Sequence, residues 1–238
     1  MSNYISSDET KECLFTFLNF DNANVIHSYL HFIPKNKDEL VIAVNEWNRN
    51  NSVAFIKYGH ISTWDTSLID DMSKLFHYIQ DPNDPLYNKY FNDDISCWNV
   101  KNVKNMSYMF CGNELFNQPI QKWDVINVID MEGIFCGAKL FNQPIGVWET
   151  KNVQSMCAMM SGAHSFNQPI EKWNTSSVTN MRSMFFEAYS FNQPIEKWNI
   201  SKVQKMDYMF NGASSFNQTL DKWSVLHTTT MESIFSHS

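Results

Sequence analysis

Residues 116–138 read FNQPIQKWDVINVIDMEGIFCGA, residues 166–188 read FNQPIEKWNTSSVTNMRSMFFEA, and residues 191–213 read FNQPIEKWNISKVQKMDYMFNGA. The three are one phrase repeated at a period of 25, and a fixed period between 20 and 50 residues is the signature of a repeat architecture. Working outward, tryptophan recurs at Trp98, Trp123, Trp148, Trp173, Trp198 and Trp223, and phenylalanine at Phe91, Phe116, Phe141, Phe166, Phe191 and Phe216, with no slip in either series. Trp64, Met72, Leu75 and Phe76 keep the mutual offsets of Trp98, Met106, Met109 and Phe110, so a degenerate unit precedes the six regular ones, separated from them by nine extra residues.

Within a unit Met106, Met109 and Phe110 stand at i, i+3 and i+4, which predicts a short helical turn, with Gly112 following where a left-handed residue would end it. Pro119, Pro144, Pro169 and Pro194 disfavour helix at the preceding glutamine and cannot donate to a ladder, so the F-N-Q-P-I stretch reads as extended, with short strands nearby. The apolar side chains of one isolated unit cannot offset the entropy of ordering 25 residues, so units must stack, each Phe, Trp and Met packing on its counterpart. The core assigned to this stack is the six tryptophans together with Phe116, Phe141, Phe166 and Phe191. Asn117, Asn142, Asn167, Asn192 and Asn217 should form an amide ladder along one edge.

The expected fold is an α/β repeat, a solenoid of about seven 25-residue coils over residues 56–238, with residues 1–55 as a helical N-terminal cap and an insertion at 77–90. In the cap, Asn36 and Glu39 make a capping-box arrangement ahead of Leu40, Ala43, Val44 and Trp47, predicting a helix near 37–49. Val25, Ile26, Tyr29, Leu30 and Ile33 suggest another before it.

With the repeat laid out, the chain resembles the BspA-type leucine-rich-repeat-like family, a domain-of-unknown-function family whose units carry the same F-N-Q-P-I, W, V, M, M-F, G-A pattern. The resemblance covers residues 91–238, and Glu39-Leu40, Ala43-Val44, Trp47, Tyr58-Gly59-His60-Ile61 and Trp64-Asp65-Thr66-Ser67 look like the family's lead-in to its first repeat. It implies a right-handed, leucine-rich-repeat-like solenoid. Members occur in bacterial surface proteins, where adhesion to host proteins is the usual assignment, and in large DNA viruses and some protists. Compared with the surface members, the expectation here is of a chain without export signal, lipid-attachment cysteine or wall anchor, and Asn, Ile and Lys usage leans toward the viral branch.

Composition narrows function. With 43% apolar residues and 15% aromatics the chain can build a core, while a formal charge of −7 and no basic cluster argue against nucleic acid as a partner. Asp8, Glu9, Glu12 and Asp21 interrupt the region where a secretory leader would run apolar, and no stretch approaches a membrane span. The expectation is an intracellular protein, in host cytoplasm or virion if viral, with no membrane contact. Cys13, Cys97, Cys111, Cys136 and Cys157 match no zinc or disulfide spacing, which favours a reducing compartment. Cys111 and Cys136 are one period apart, so a disulfide between them is geometrically open, beside the plainer reading of two small buried side chains.

No catalytic, metal or cofactor site is expected. The histidines are scattered, only His27 and His31 sharing a helical i, i+4 spacing, and no glycine-rich phosphate loop occurs. Two features point to binding. Lys122, Lys172, Lys197 and Lys222 precede their tryptophans and Glu171, Glu196 and Asp221 precede the lysines, making columns of opposite charge that are otherwise a solvated surface. The insertion carries Tyr78, Tyr87 and Tyr90 with Pro82 and Pro85, an aromatic loop on a rigid support, or else a linker. The expected function is a non-enzymatic interaction scaffold for a protein partner, through positions one to four after each tryptophan and the insertion. The alternatives are a structural subunit self-associating through its C-terminal coil, as in a virus particle, or a surface adhesin-like protein.

Overall fold

A computed structural model describes residues 32–77 and 90–236. It opens with helix α1 (Lys37–Arg49), whose N-cap Asn36 accepts from the Glu39 N–H at 3.0 Å and whose first turn carries Asp38 and Glu39 against the positive helix end. Leu40, Ala43, Val44 and Trp47 form its buried stripe. Asn50 closes α1 and caps α2 (Asn51–Tyr58), accepting from Val53 N–H at 3.2 Å, and Gly59 at φ +74° ends that helix. Most of the helix expected over residues 25–33 lies outside the described residues; Phe32 and Ile33 themselves are not helical. Phe32, Trp47 and Tyr58 pack around Trp64 with ring centroids 5.2, 6.1 and 5.9 Å away, so the helical segment covers the outer side of the first unit.

From Trp64 onward the units lie in parallel register. Asp71 bridges Asn105, which bridges Asp130, and the series continues through Ser155, Asn180 and Lys205 to Thr230. Beyond each bridge alternate N–H groups donate to the following unit: Met181 to Lys205 O at 2.9 Å, Ser183 to Asp207 O at 2.8 Å, Phe185 to Met209 O at 2.9 Å and Glu187 to Asn211 O at 2.8 Å. Between them, Met184 N–H returns to Met181 O and Phe186 N–H to Ser183 O within the unit. Consecutive tight turns therefore direct alternate amides outward along the stack.

That arrangement overturns the expected α/β, right-handed, leucine-rich-repeat-like solenoid. Among the described residues helices are confined to residues 37–58 apart from the three-residue 3₁₀ turns Ile61–Thr63 and Ile145–Val147, and the units meet through isolated bridges rather than strands of a sheet. The helical turn expected at Met106, Met109 and Phe110 is absent because the amides that would close i→i−4 bonds are committed elsewhere: Phe110 N–H goes to Ile134 O at 2.9 Å and Met109 N–H to Met106 O at 3.2 Å. The ten-after-tryptophan position is left-handed in every unit, from Ser233 at φ +49° to Lys74 at φ +60°, and alternating left-handed residues cannot propagate a right-handed helix. The F-N-Q-P-I stretch carries no strand.

Side chains fill the interior in rows. Phe116, Phe141, Phe166 and Phe191 are fully buried, with successive centroids 6.0, 6.0 and 6.2 Å apart. Trp98, Trp123, Trp148, Trp173 and Trp198 are buried, whereas Trp223 is only partly so. Each indole N–H donates to the carbonyl of the isoleucine one unit back, as Trp173 does to Ile145 at 3.0 Å and Trp223 to Ile195 at 3.3 Å. The asparagine row differs from an amide-to-amide ladder: Asn117 Oδ1 accepts from the main-chain N–H of Asn142 at 2.9 Å, and Gln143 Nε2 caps the same oxygen at 2.9 Å. Buried Thr150 and Thr175 reach the next unit's main chain at Asn174 and Asn199.

Candidate functional site

The backbone bonds repeat from unit to unit, so the units differ from one another in outward positions whose chemistry changes. In the row before tryptophan, Lys122, Lys172, Lys197 and Lys222 are exposed, and Glu171 and Glu196 are half-buried beside them. Lys222 Nζ pairs with Glu196 Oε2 one unit back at 3.0 Å; among the described residues Lys122, Lys172 and Lys197 make no ion pair. The row is also interrupted: Val147 takes the lysine position with 68% exposure. Gly146 beside it lies so close to the Pro169 carbonyl of the next unit that a Cβ would collide with it. The charges thus form two stretches rather than continuous columns, each pair worth at most about 1 kcal/mol at this exposure.

Of the three insertion tyrosines, Tyr78 and Tyr87 lie outside the described residues, and Tyr90 is 58% exposed. Tyr90 stands at the mouth of a cleft of about 620 Å³ between the end of α1 and the first regular unit, lined also by Trp47, Arg49, Asn50, Phe91 and Asp93. Trp47 Nε1 donates to Asp93 Oδ2 at 2.7 Å across the base of this junction. Beneath it, His60 packs edge-on to Trp47 at 5.1 Å, and its Nδ1 lies 2.7 Å from the Ser62 hydroxyl. Burial holds the His60 imidazole below its ordinary pKa of 6.5, with the carboxylates of Asp93 and Asp94 pulling the other way.

A third feature was not singled out from sequence. Sixteen residues after successive tryptophans stand Glu114, Lys139, His164, Tyr189 and Ser214. Lys139 Nζ pairs with Glu114 Oε1 at 2.9 Å, and the His164 and Tyr189 rings stack at 4.4 Å. Leu115 and Leu140 are exposed directly beside this row, and Ser165 N–H to Lys139 O at 3.0 Å and Ser190 N–H to His164 O at 3.1 Å hold it rigid. The available signal was variance: this position changes chemistry at nearly every unit while its neighbours repeat.

Cys97 is disulfide-bonded, which corrects the expectation that the cysteine spacing fits no disulfide, while Cys111, Cys136 and Cys157 are free and half-buried. Among the described residues no three His, Cys, Asp or Glu gather where they could hold a metal ion, and no helix is long and apolar enough to cross a membrane. In the last unit Val225, Met231 and Phe235 are exposed where the same positions one unit earlier, Ile200, Met206 and Phe210, are buried; Leu226, 87% exposed, matches Ser201, which is itself exposed.

A family model described as "Mycoplasma protein of unknown function, DUF285" matches residues 48–165 and again residues 141–238. The two matches together span most of the sequence, and the chain belongs to this family. No curated protein and no solved structure matches the chain.

Proposed function

We propose that this DUF285 member is a non-enzymatic interaction scaffold that presents rows of outward side chains to a protein partner. The observation that carries this reading is the row Glu114, Lys139, His164 and Tyr189, four chemistries mounted on an identically bonded backbone with Leu115 and Leu140 exposed alongside. Rigid backbone lowers the entropy lost on docking, and exposed apolar and aromatic groups beside opposite charges make an interface core with a polar rim. The test is affinity capture from host-cell extract with the intact chain. A specific protein should be recovered, and the joint change Leu115→Ser, Leu140→Ser and Tyr189→Ser should abolish its capture while Lys122→Ser, Lys172→Ser and Lys197→Ser weakens it. Undiminished capture with both variants contradicts the reading.

A second reading, a structural subunit that self-associates, is favoured by the exposed Val225, Leu226, Met231 and Phe235. The first unit's outer side is covered by the helices, so two copies would meet through their last units about a two-fold axis. Light scattering across a concentration series decides it, since a mass that stays monomeric excludes it.

A further inference from the structure

Cys111 and Cys136 each stand thirteen residues after a tryptophan in consecutive units. The units are joined at that point by Gly112 N–H donating to Cys136 O at 2.6 Å. A Cβ placed on Gly137 would sit 3.4 Å from the Gly112 Cα, so the two backbones are laid directly over one another there. Neighbouring chains in such register run about 4.8 Å apart, inside the roughly 4.4–6.8 Å between Cα atoms that a disulfide spans. Both side chains point away from the interior, which the preceding Phe110 and Phe135 fill, and both thiols are free and partly accessible.

The two thiols are not equivalent. The two side chains are neighbours, and Ser161 lies on the Cys136 side of the pair. The neighbouring Cys111 thiol lowers the pKa of Cys136, burial opposes it and Ser161 assists; the Cys136 thiol and burial push Cys111 up. Cys157 lies in another row, nine residues after Trp148, where burial and then the Glu132 carboxylate push its thiol up to about 11.

We propose that Cys111 and Cys136 are a thiol–disulfide exchange site, with Cys136 as attacking sulfur, Cys111 as resolving sulfur and small-molecule disulfides of the glutathione type as co-substrate. The Cys136 thiolate, its proton lost to solvent, attacks one sulfur of R–S–S–R, forming a mixed disulfide and expelling RS⁻. Cys111 then gives up its proton and attacks Cys136 Sγ, expelling the second RS⁻. The two thiolates take up the two protons, so two protein thiols are oxidised to one disulfide and one R–S–S–R is reduced to two RSH. The product is a covalent clamp between consecutive units.

The test is incubation of the intact protein with oxidised glutathione, alkylation of remaining thiols and peptide mass spectrometry after tryptic cleavage, which separates the two cysteines at Lys122. Tryptic peptides carrying Cys111 and Cys136 should appear cross-linked with loss of two hydrogens, while Cys157 stays alkylated. Cys111→Ser should accumulate glutathione on Cys136, and Cys136→Ser should modify Cys111 at least about tenfold more slowly. Early time points on the unaltered chain, where the mixed disulfide should sit on Cys136, read the same order should a variant fail to fold. Separate mixed disulfides on both cysteines without a cross-link, or first modification at Cys111, overturns the proposal.

Discussion

The indole N–H of Trp198 donates to the main-chain carbonyl of Ile170, 3.1 Å away and one unit back, with both residues buried. Tryptophan is therefore both filler and tie, since its ring packs on Trp173 at 6.2 Å while its nitrogen adds a second donor to a carbonyl that already accepts from Trp173 N–H at 3.1 Å. Trp198→Phe should cost about 1–3 kcal/mol in chemical denaturation, combining lost volume with the loss of one of the two hydrogen bonds to a buried carbonyl. Trp223→Phe, at a partly exposed ring, should cost less than half as much. Equal losses at the two positions, which both make the bond, would show that burial of the ring adds nothing to it.

Left-handed backbone held by residues other than glycine predicts sites of easy improvement. Ala158 stands at φ +50° and Glu187 at φ +52°. Ala158→Gly and Glu187→Gly should each stabilise by up to about 1 kcal/mol. Gly133→Ala should do the reverse, because φ is +57° and the new Cβ would lie 2.6 Å from the Tyr108 ring. Thermal melts of the three variants check this, and a destabilised Ala158→Gly would contradict it.

The inner phenylalanine row has one gap. Phe110 and Phe135 stack at 5.8 Å and Phe185 and Phe210 at 5.7 Å, but Met160 occupies the position between Phe135 and Phe185. Met160→Phe should be tolerated and raise stability by about 0.5–1 kcal/mol through restored ring contacts. A loss above about 1 kcal/mol would mean that the methionine is fitted to a local narrowing of the stack.

His60 predicts acid sensitivity. Its ordinary pKa of 6.5 is lowered in the fold by burial, and His77 is lowered by burial and then by Lys74. Above pH 6.5 neither the folded nor the unfolded chain protonates these rings, so stability is level there. As pH falls through 6.5 the unfolded chain takes up protons that the folded one resists, and stability should decline. Denaturation midpoints measured from pH 7.5 to 5.5 should fall, and His60→Asn, which keeps an acceptor for Ser62 N–H, should flatten part of that slope. A flat profile in the unaltered chain contradicts the burial of a neutral imidazole.

What could be read from the sequence follows from what its spacings encode. The period of the tryptophans carries the register of the stack, and Asn36 with Glu39 carries the start of α1, because each is a local pattern with one physical solution. The spacing of Met106, Met109 and Phe110 has two solutions, a helix and a run of turns, since both return side chains to one face every three or four residues. What decides between them is left-handed backbone at Tyr108, Ala158 and Ser183, residues whose chemistry does not announce it. The lysine row is legible in the sequence because it repeats, while Glu114, Lys139, His164 and Tyr189 are not, because they share no chemistry from unit to unit.

Alternate amides in the M-x-x-M-F segments bond to the next unit instead of closing helical rings. Ser183 N–H donates to Asp207 O at 2.8 Å and Phe185 N–H to Met209 O at 2.9 Å. A trans-hydrogen-bond scalar coupling experiment by NMR on labelled protein reads donor and acceptor directly. Couplings are expected from the Ser183 nitrogen to the Asp207 carbonyl carbon and from the Phe185 nitrogen to that of Met209. A coupling from Phe185 to the Met181 carbonyl would show a helical turn and contradict this bonding to the next unit.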